Sequence, residues 1–361
     1  MPNTYMISGG GTGGHIFPAV AIAQEIQRRH PDAEIRFVGA RNRMEMERVP
    51  AAGFAIDGID IAGFNRTDMT ANILFPVKLV KSLLSCRKLL LKYRPSIVIG
   101  TGGFASGPLL WVAQNMGIPT IIQEQNSLPG VTNKILGKKA KAICVAYEGL
   151  DRYFPKEKIA LTGNPIRETL LDTPVPKESD YLQYNLQPDR KTLVVLGGSL
   201  GARKINEVME RIYPSLIRAG YQVIWQCGKL YYETLKVKLG NEEGLVLADF
   251  ITDMKQIYSL ADVIVSRAGA GTISELQVVG KPAILIPSPN VAEDHQTKNA
   301  EAVERSGGAI MVRESEIDQL KEVLIQLIHD EDRRKELSSN LRAQARPEAT
   351  KAIVDELEKW I

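Results

Sequence analysis

The sequence is poor in the features that mark a secreted, metal-bound or membrane-spanning chain. Only three cysteines occur in 361 residues, Cys86, Cys144 and Cys227, far apart and odd in number. They form neither a disulfide framework nor a metal-ligand spacing, and they suit a reducing compartment. The four histidines are scattered, with no HExxH or Cys/His cluster, so the sequence asks for no metal. The opening Met-Pro-Asn-Thr-Tyr-Met-Ile-Ser lacks the basic and apolar regions of a signal peptide. Charge is missing from residues 95–123, but Pro95, Gly100, Gly102, Gly103, Gly107, Pro108, Gly117 and Pro119 divide that stretch into strand, loop, helix and strand. A spanning helix is therefore excluded there. Interleaved basic and aromatic residues are also wanting, which argues against nucleic acid as a partner.

What is present is a soluble composition, 44% hydrophobic and 24% charged, over a length that suits two domains. The net charge of +3 hides an asymmetry: residues 1–164 carry +8 and residues 165–361 carry −5. One half is thus suited to an anionic partner. Short β-branched runs alternate with amphipathic segments. Thr4–Ser8, Glu34–Val38, Ile97–Gly100, Thr120–Ile122 and Ala142–Val145 read as strands of a first series. Thr192–Leu196, Gln222–Gln226, Leu245–Ala248, Val263–Val265 and Ala283–Ile286 read as strands of a second. Unbroken apolar runs separated by helices predict buried parallel strands, hence two doubly wound α/β domains. The turn at Thr162-Gly163-Asn164-Pro165 sets the boundary: domain one at 1–164, domain two at 165–345. Residues 346–361 form a terminal helix whose apolar face, Ala352, Ile353, Leu357 and Trp360, must pack on one of them.

Three glycine-rich loops follow predicted strands, at Gly9–Gly14, Gly100–Gly107 and Gly197–Gly201. Glycine allows close approach to a ligand, and a helix N-terminus beyond it offers N–H groups to phosphate. Gly9, Gly11 and Gly14 satisfy GxGxxG, yet the second strand ends Phe37-Val38-Gly39-Ala40-Arg41 with no acid to hold a dinucleotide ribose. A nicotinamide enzyme is set aside on that ground. Ser266–Glu275 follows a strand and opens a helix, so the run Gly269–Thr272 offers amides to a diphosphate. Glu275 one turn on suits ribose hydroxyls or its own helix N-terminus. Asp294 and Gln296 serve equally as sugar ligands or as first-turn residues.

Taken in order, Gly9–His15, Gln123-Glu124-Gln125-Asn126, Gly163-Asn164-Pro165-Ile166-Arg167, Gly197–Ala202, Ser266–Glu275 and Asp294-His295-Gln296 resemble the MurG family of bacterial cell-wall glycosyltransferases. The resemblance implies a GT-B fold: two Rossmann-like domains around a cleft, the donor held mainly by the second. It implies transfer of N-acetylglucosamine from UDP-N-acetylglucosamine to the C4 hydroxyl of the N-acetylmuramoyl sugar of lipid I, giving lipid II and UDP. It gives Ser199 and the amides of Ala270, Gly271 and Thr272 to the diphosphate, the main chain of Ile251 to uracil, and Glu275 to the ribose. Gln296 and Asn126 are given to the N-acetylglucosamine, Arg167 to the nucleotide, and Thr12, Gly13 and Gly14 to closure over the donor. Some members carry His where this chain has Gln123, so Gln123 receives no role. Another GT-B acceptor, a UDP-N-acetylglucosamine 2-epimerase and a nucleotide-sugar binding module are the alternatives.

An α-linked donor and a β-linked product imply inversion in one displacement. No DxD motif stands at a strand end, so no metal cofactor is expected and helix N-termini are left to stabilise the leaving UDP. His15, at the first loop-to-helix junction, is the candidate base, with hydrogen bonding to donor or loop as its other reading. No acid occurs from residue 69 to 123. Within that span Asn72–Tyr93 reads as an amphipathic helix, with Lys78, Lys81, Lys88 and Lys92 on one face and Leu79, Val80, Leu83, Leu84, Leu90 and Leu91 on another. Lys78, Lys81, Leu83, Leu84, Lys88 and Lys92 are expected to meet an anionic membrane on its cytoplasmic side, the chain being peripheral; an ordinary core-facing helix is the alternative.

Overall fold

The computed structural model describes residues 3–61, 75–198, 200–291 and 294–361. It divides into two compact units, Met1–Ile166 with Pro347–Ile361, and Arg167–Arg346.

The first unit runs β1 (Thr4–Gly9), α1 (Gly13–Arg29), β2 (Glu34–Ala40), α2 (Glu45–Ala51), β3 (Ala55–Ile59), α3 (Phe75–Tyr93), β4 (Ile97–Gly102), α4 (Ser106–Asn115), β5 (Thr120–Glu124), α5 (Val131–Gly137), β6 (Ala142–Val145) and β7 (Ile159–Leu161). The second runs α6 (Glu178–Leu182), β8 (Thr192–Leu196), α7 (Arg203–Arg218), β9 (Gln222–Gln226), α8 (Tyr232–Leu239), β10 (Leu245–Ala248), α9 (Met254–Leu260), β11 (Val263–Ser266), α10 (Ala270–Val279), β12 (Ala283–Leu285), α11 (His295–Arg305), β13 (Ile310–Met311), α12 (Leu320–His329) and α13 (Glu331–Ala343). The chain then returns to the first unit as α14 (Ala349–Glu358).

Both sheets are parallel, in the orders β3-β2-β1-β4-β5-β6-β7 and β10-β9-β8-β11-β12-β13. The order reverses between β1 and β4, and again between β8 and β11. In such sheets ligands bind beyond the carboxyl ends of the strands at that reversal. Alternation along each strand sends neighbours to opposite faces. Tyr5 and Ile7 pack under α1 and α14, while Met6 packs under α3 and α4. Likewise Leu193 and Val195 face α7 and α12, and Val194 and Leu196 face α9 and α10.

Three strands escape the sequence reading: β3, β7 and β13. All lie at sheet edges and stay partly exposed, and β3 carries Asp57, so none shows the apolar run of a central strand.

The terminal helix sits on α1. Ile353, Val354 and Leu357 enter the same core as Ile22 and Ile26. Arg29 bonds Glu25 at 2.7 Å, Asp355 at 2.5 Å and Glu358 at 3.1 Å, and His30 meets Glu358 at 2.8 Å. Hydrogen bonds from Arg28 and Arg29 hold the buried Glu25 carboxyl down at about 2, against the opposing effect of burial. Apolar burial, rather than the rim of charges, anchors α14. Leu357→Ala should cost about 2–5 kcal/mol, the usual range for a buried leucine. Asp355→Ala, at a side chain 62% exposed, should cost less than about 1 kcal/mol. Urea unfolding of the two variants followed by circular dichroism checks the contrast.

Candidate active site

At the reversal in the first sheet, two glycine turns meet. The Gly10 amide donates to the carbonyl of Gly102 at 3.2 Å. A Cβ at Gly103 would lie 2.9 Å from the Gly10 nitrogen, so only glycine permits the approach. Thr101 Oγ1 donates to the His15 carbonyl at 2.7 Å, which pins the first turn of α1 to the end of β4.

The His15 ring is held by the same strand end. Its Nδ1 lies 2.9 Å from the Thr101 carbonyl and 3.1 Å from Gln125 Oε1. A carbonyl only accepts, so Nδ1 carries the hydrogen of the neutral ring and Nε2 holds the lone pair. That is the tautomer a base requires. Behind the ring runs an uncharged chain of amides. Gln125 Nε2 donates to Thr101 O at 2.7 Å and to Gln123 Oε1, Gln123 Nε2 donates to Asn164 Oδ1 at 2.8 Å, and Asn164 Nδ2 returns to the Gln125 carbonyl at 3.1 Å. All three amide side chains are buried. Gln123, given no role on sequence grounds, is therefore a link in the chain that orients His15.

Asn126 sits just past β5 and is set by the buried Glu124. Glu124 Oε1 accepts from the Asn126 amide at 3.0 Å and its Nδ2 at 3.2 Å. Oε2 accepts from Asn133 at 2.8 Å and from the Gly130 amide at 3.3 Å. Burial pushes this carboxyl up, against the four N–H donors that would lower it.

The second unit repeats the geometry. Gly269 ends the loop after β11, and Ala270, Gly271 and Thr272 form the first turn of α10, whose amides have no intrahelical acceptor. A Cβ at Gly271 would meet open space. Glu275, one turn on, accepts from the buried Tyr258 hydroxyl at 3.0 Å and pairs with Arg167 at 3.3 Å. Its pKa is raised by burial, with Arg167 and Tyr258 opposing. Arg267 steadies the loop, reaching Glu314 at 2.5 Å and the Ile286 carbonyl at 3.1 Å. The Ile251 amide already donates to Gln226 Oε1 at 3.0 Å, so its carbonyl is the group left for a base. Gln296 Oε1 accepts from the Ser288 amide at 2.9 Å, which fixes that side chain against its loop. Ser199 lies outside the described residues. Among the described residues no three His, Cys, Asp or Glu side chains gather as metal ligands.

Sequence reasoning brings together Ala270, Gly271, Thr272, Glu275 and Arg167 in one unit, and Thr12, Gly13, Gly14, His15 and Asn126 in the other. It gives no role to Tyr258, Gln226, Glu124 and Gln125, because each holds another residue in place.

On α3, Leu83 packs with Cys86, Leu89 and Leu90 against the core of the first unit. It stands about two helical turns from Leu90 on the same face and is partly buried. Val77, Val80, Leu84 and Leu91 form the outward stripe, at 51%, 56%, 63% and 51% exposure. Lys78, Lys81, Lys88 and Lys92 are exposed beside it.

Two family models cover most of this architecture. Residues 5–145 match the glycosyltransferase family 28 N-terminal domain and residues 192–353 its C-terminal domain. The chain belongs to glycosyltransferase family 28. A UDP-N-acetylglucosamine--N-acetylmuramyl-(pentapeptide) pyrophosphoryl-undecaprenol N-acetylglucosamine transferase of Flavobacterium psychrophilum is 49% identical over 358 residues, 99% of this chain and 97% of that one. The protein of the same name in Christiangramia forsetii is 51% identical over 357 residues, again 99% and 97%. The crystal structure of Acinetobacter baumannii MurG is 29% identical, with a TM-score of 0.79 over 99% of this chain and 100% of that one. The family 28 chain is thus a glycosyltransferase of GT-B fold.

The orientation of His15 is directly measurable. Long-range proton–nitrogen correlation spectra of labelled protein above the histidine's titration should show the Nδ1–H tautomer for His15. An Nε2–H pattern would contradict the Thr101 hydrogen bond.

Proposed function

We propose that the chain transfers N-acetylglucosamine from UDP-N-acetylglucosamine to the C4 hydroxyl of the N-acetylmuramoyl sugar of lipid I, giving lipid II and UDP in peptidoglycan synthesis. The observation that carries this reading is identity near one half over nearly the whole of relatives bearing that activity in their names. His15 supports it as base: with Nδ1–H given to Thr101, Nε2 is the nitrogen that takes the acceptor hydroxyl proton. The C4 oxygen then attacks the anomeric carbon as the bond to UDP breaks, in one inverting step.

On the donor side, the opening turn of α10 receives the diphosphate through Ala270, Gly271 and Thr272, where aligned amides favour growing negative charge on the leaving group. Ser199 is assigned to the same diphosphate. Glu275 takes the ribose hydroxyls, held in place by Tyr258, and Arg167 offsets its charge. Ile251 offers uracil its carbonyl as acceptor. Asn126, Gln296 and the Thr12–Gly14 turn are assigned to the sugar and to closure over it. No metal cofactor enters this reading.

The acceptor is lipid-borne, and α3 supports a peripheral seat on the cytoplasmic membrane face. Its outward stripe of Val77, Val80, Leu84 and Leu91 beside four lysines suits an anionic surface. Among the described residues no helix is long and apolar enough to cross a membrane.

Purified protein should release UDP from UDP-N-acetylglucosamine only with a lipid I analogue, and label the lipid. His15→Ala should lower kcat by about a hundredfold or more, the scale of general-base catalysis, and a loss under about tenfold would remove the base role. In vesicle sedimentation with anionic lipid, each Lys→Ala at 78, 81, 88 or 92 should weaken binding about fivefold, the equivalent of about 1 kcal/mol. Binding unaffected by all four changes would dismiss the membrane face.

A further inference from the structure

The GxGxxG turn after β1 lacks the acid at the end of β2 that a dinucleotide site uses, but an acid reaches it from elsewhere. Glu45, the first residue of α2, is 1% exposed and its carboxylate lies inside the turn. Oε2 accepts from the Gly11 amide at 2.9 Å and Oε1 from the Ala40 amide at 3.0 Å. Two glycines make room for it. A Cβ at Gly10 would lie 2.5 Å from the Glu45 carboxyl carbon, and one at Gly39 would lie 2.6 Å from its Cγ. The glycine turn is thus cut to the shape of this chain's own carboxylate.

We propose that Glu45 is a built-in anion that takes the place a substrate phosphate would hold at Gly11 and so positions the His15 turn for transfer. The proposal rests on the transfer reading above. Among the described residues the backbone of the turn is held to its neighbours at three points: Gly10 to the Gly102 carbonyl, the His15 carbonyl to Thr101, and Gly11 to Glu45. The first two tie it to β4, and among the described residues Glu45 alone ties it to the β2 side. Gly11 has φ of +84°, a left-handed conformation that glycine leaves without high cost once its amide is released. With Gly11 committed, the amides of Thr12, Gly13 and Gly14 at the start of α1 are the part of the turn left to a ligand.

The test uses steady-state kinetics of UDP release, with UDP-N-acetylglucosamine and a lipid I analogue each varied. E45Q keeps the shape but has one acceptor oxygen, so its NH2 faces one of the two amides as donor to donor. It should lower kcat about tenfold to a hundredfold, the cost of misplacing a catalytic group by about 1 Å, with the donor KM within about twofold. E45A should lose as much, and sodium formate, seated on the vacated amides, should raise its kcat saturably while leaving wild type unchanged. E45Q with kcat within about twofold of wild type overturns the proposal. So does a lowered acceptor KM at intact kcat, which would make Gly11 a substrate-phosphate site, or a kcat loss that merely tracks loss of folded protein by circular dichroism. Where E45A does not fold, E45Q decides alone. Wild type without acceptor-dependent UDP release refutes the transfer reading itself, whatever the variants do.

Discussion

The first unit's site depends on the contact of two backbone turns at the point where its sheet changes direction. Parallel strands β1 and β4 end side by side, and the chain leaves each in a turn that touches the other. Side chains at Gly9, Gly102 or Gly103 would enter the space occupied by His15, Thr101 or the Gly10 backbone. Because those side chains are missing, the first turn of α1 can lean on β4, accepting a hydrogen bond from Thr101 Oγ1 at the His15 carbonyl and donating one from the His15 ring to the Thr101 carbonyl. The direction of the His15 ring is therefore a property of the sheet's order of strands rather than of a local sequence preference. The amide chain through Gln125, Gln123 and Asn164 adds stiffness without adding charge.

The same strand order serves the second unit differently. At the end of β11 the helix that follows begins with small residues and no acid in its first turn, so the positive end of its dipole is uncovered. At the end of β1, whose counterpart in the second sheet is β8, the turn is partly filled by Glu45. One scaffold thus leaves the first turn of a helix uncovered in one unit and a partly filled turn before a helix in the other. The difference is made by a single carboxylate delivered from a neighbouring helix.

Central strands were legible in the sequence because burial on both faces writes an unbroken apolar run, and Ala142–Val145, Thr192–Leu196 and Gln222–Gln226 stand where that pattern puts them. Edge strands such as Ile159–Leu161 were not, since a half-exposed strand of three residues has no pattern to display. The glycine turns were legible as turns, but what fills them was not. Glu45 is four residues beyond Arg41, where the search for an acid ended, and the path of the chain into α2 brings it back to Gly11. Leu83 and Leu84 are adjacent in sequence and alike in chemistry, yet one faces the core and the other solvent. The lysines mark α3 as two-sided, but a helix with leucine on both sides does not say which leucine faces which.

The return of the chain to its first unit has a consequence for synthesis. The core around α1 lacks Ile353, Val354 and Leu357 until α14 has been made. The whole of Arg167–Arg346 is translated before then, and domains fold as units while synthesis proceeds. The second unit therefore has all its parts first, while the unit that begins the chain waits with one face of its sheet partly bare. A ribosome that stops before residue 349 releases a chain with a complete second unit and an unfinished first one.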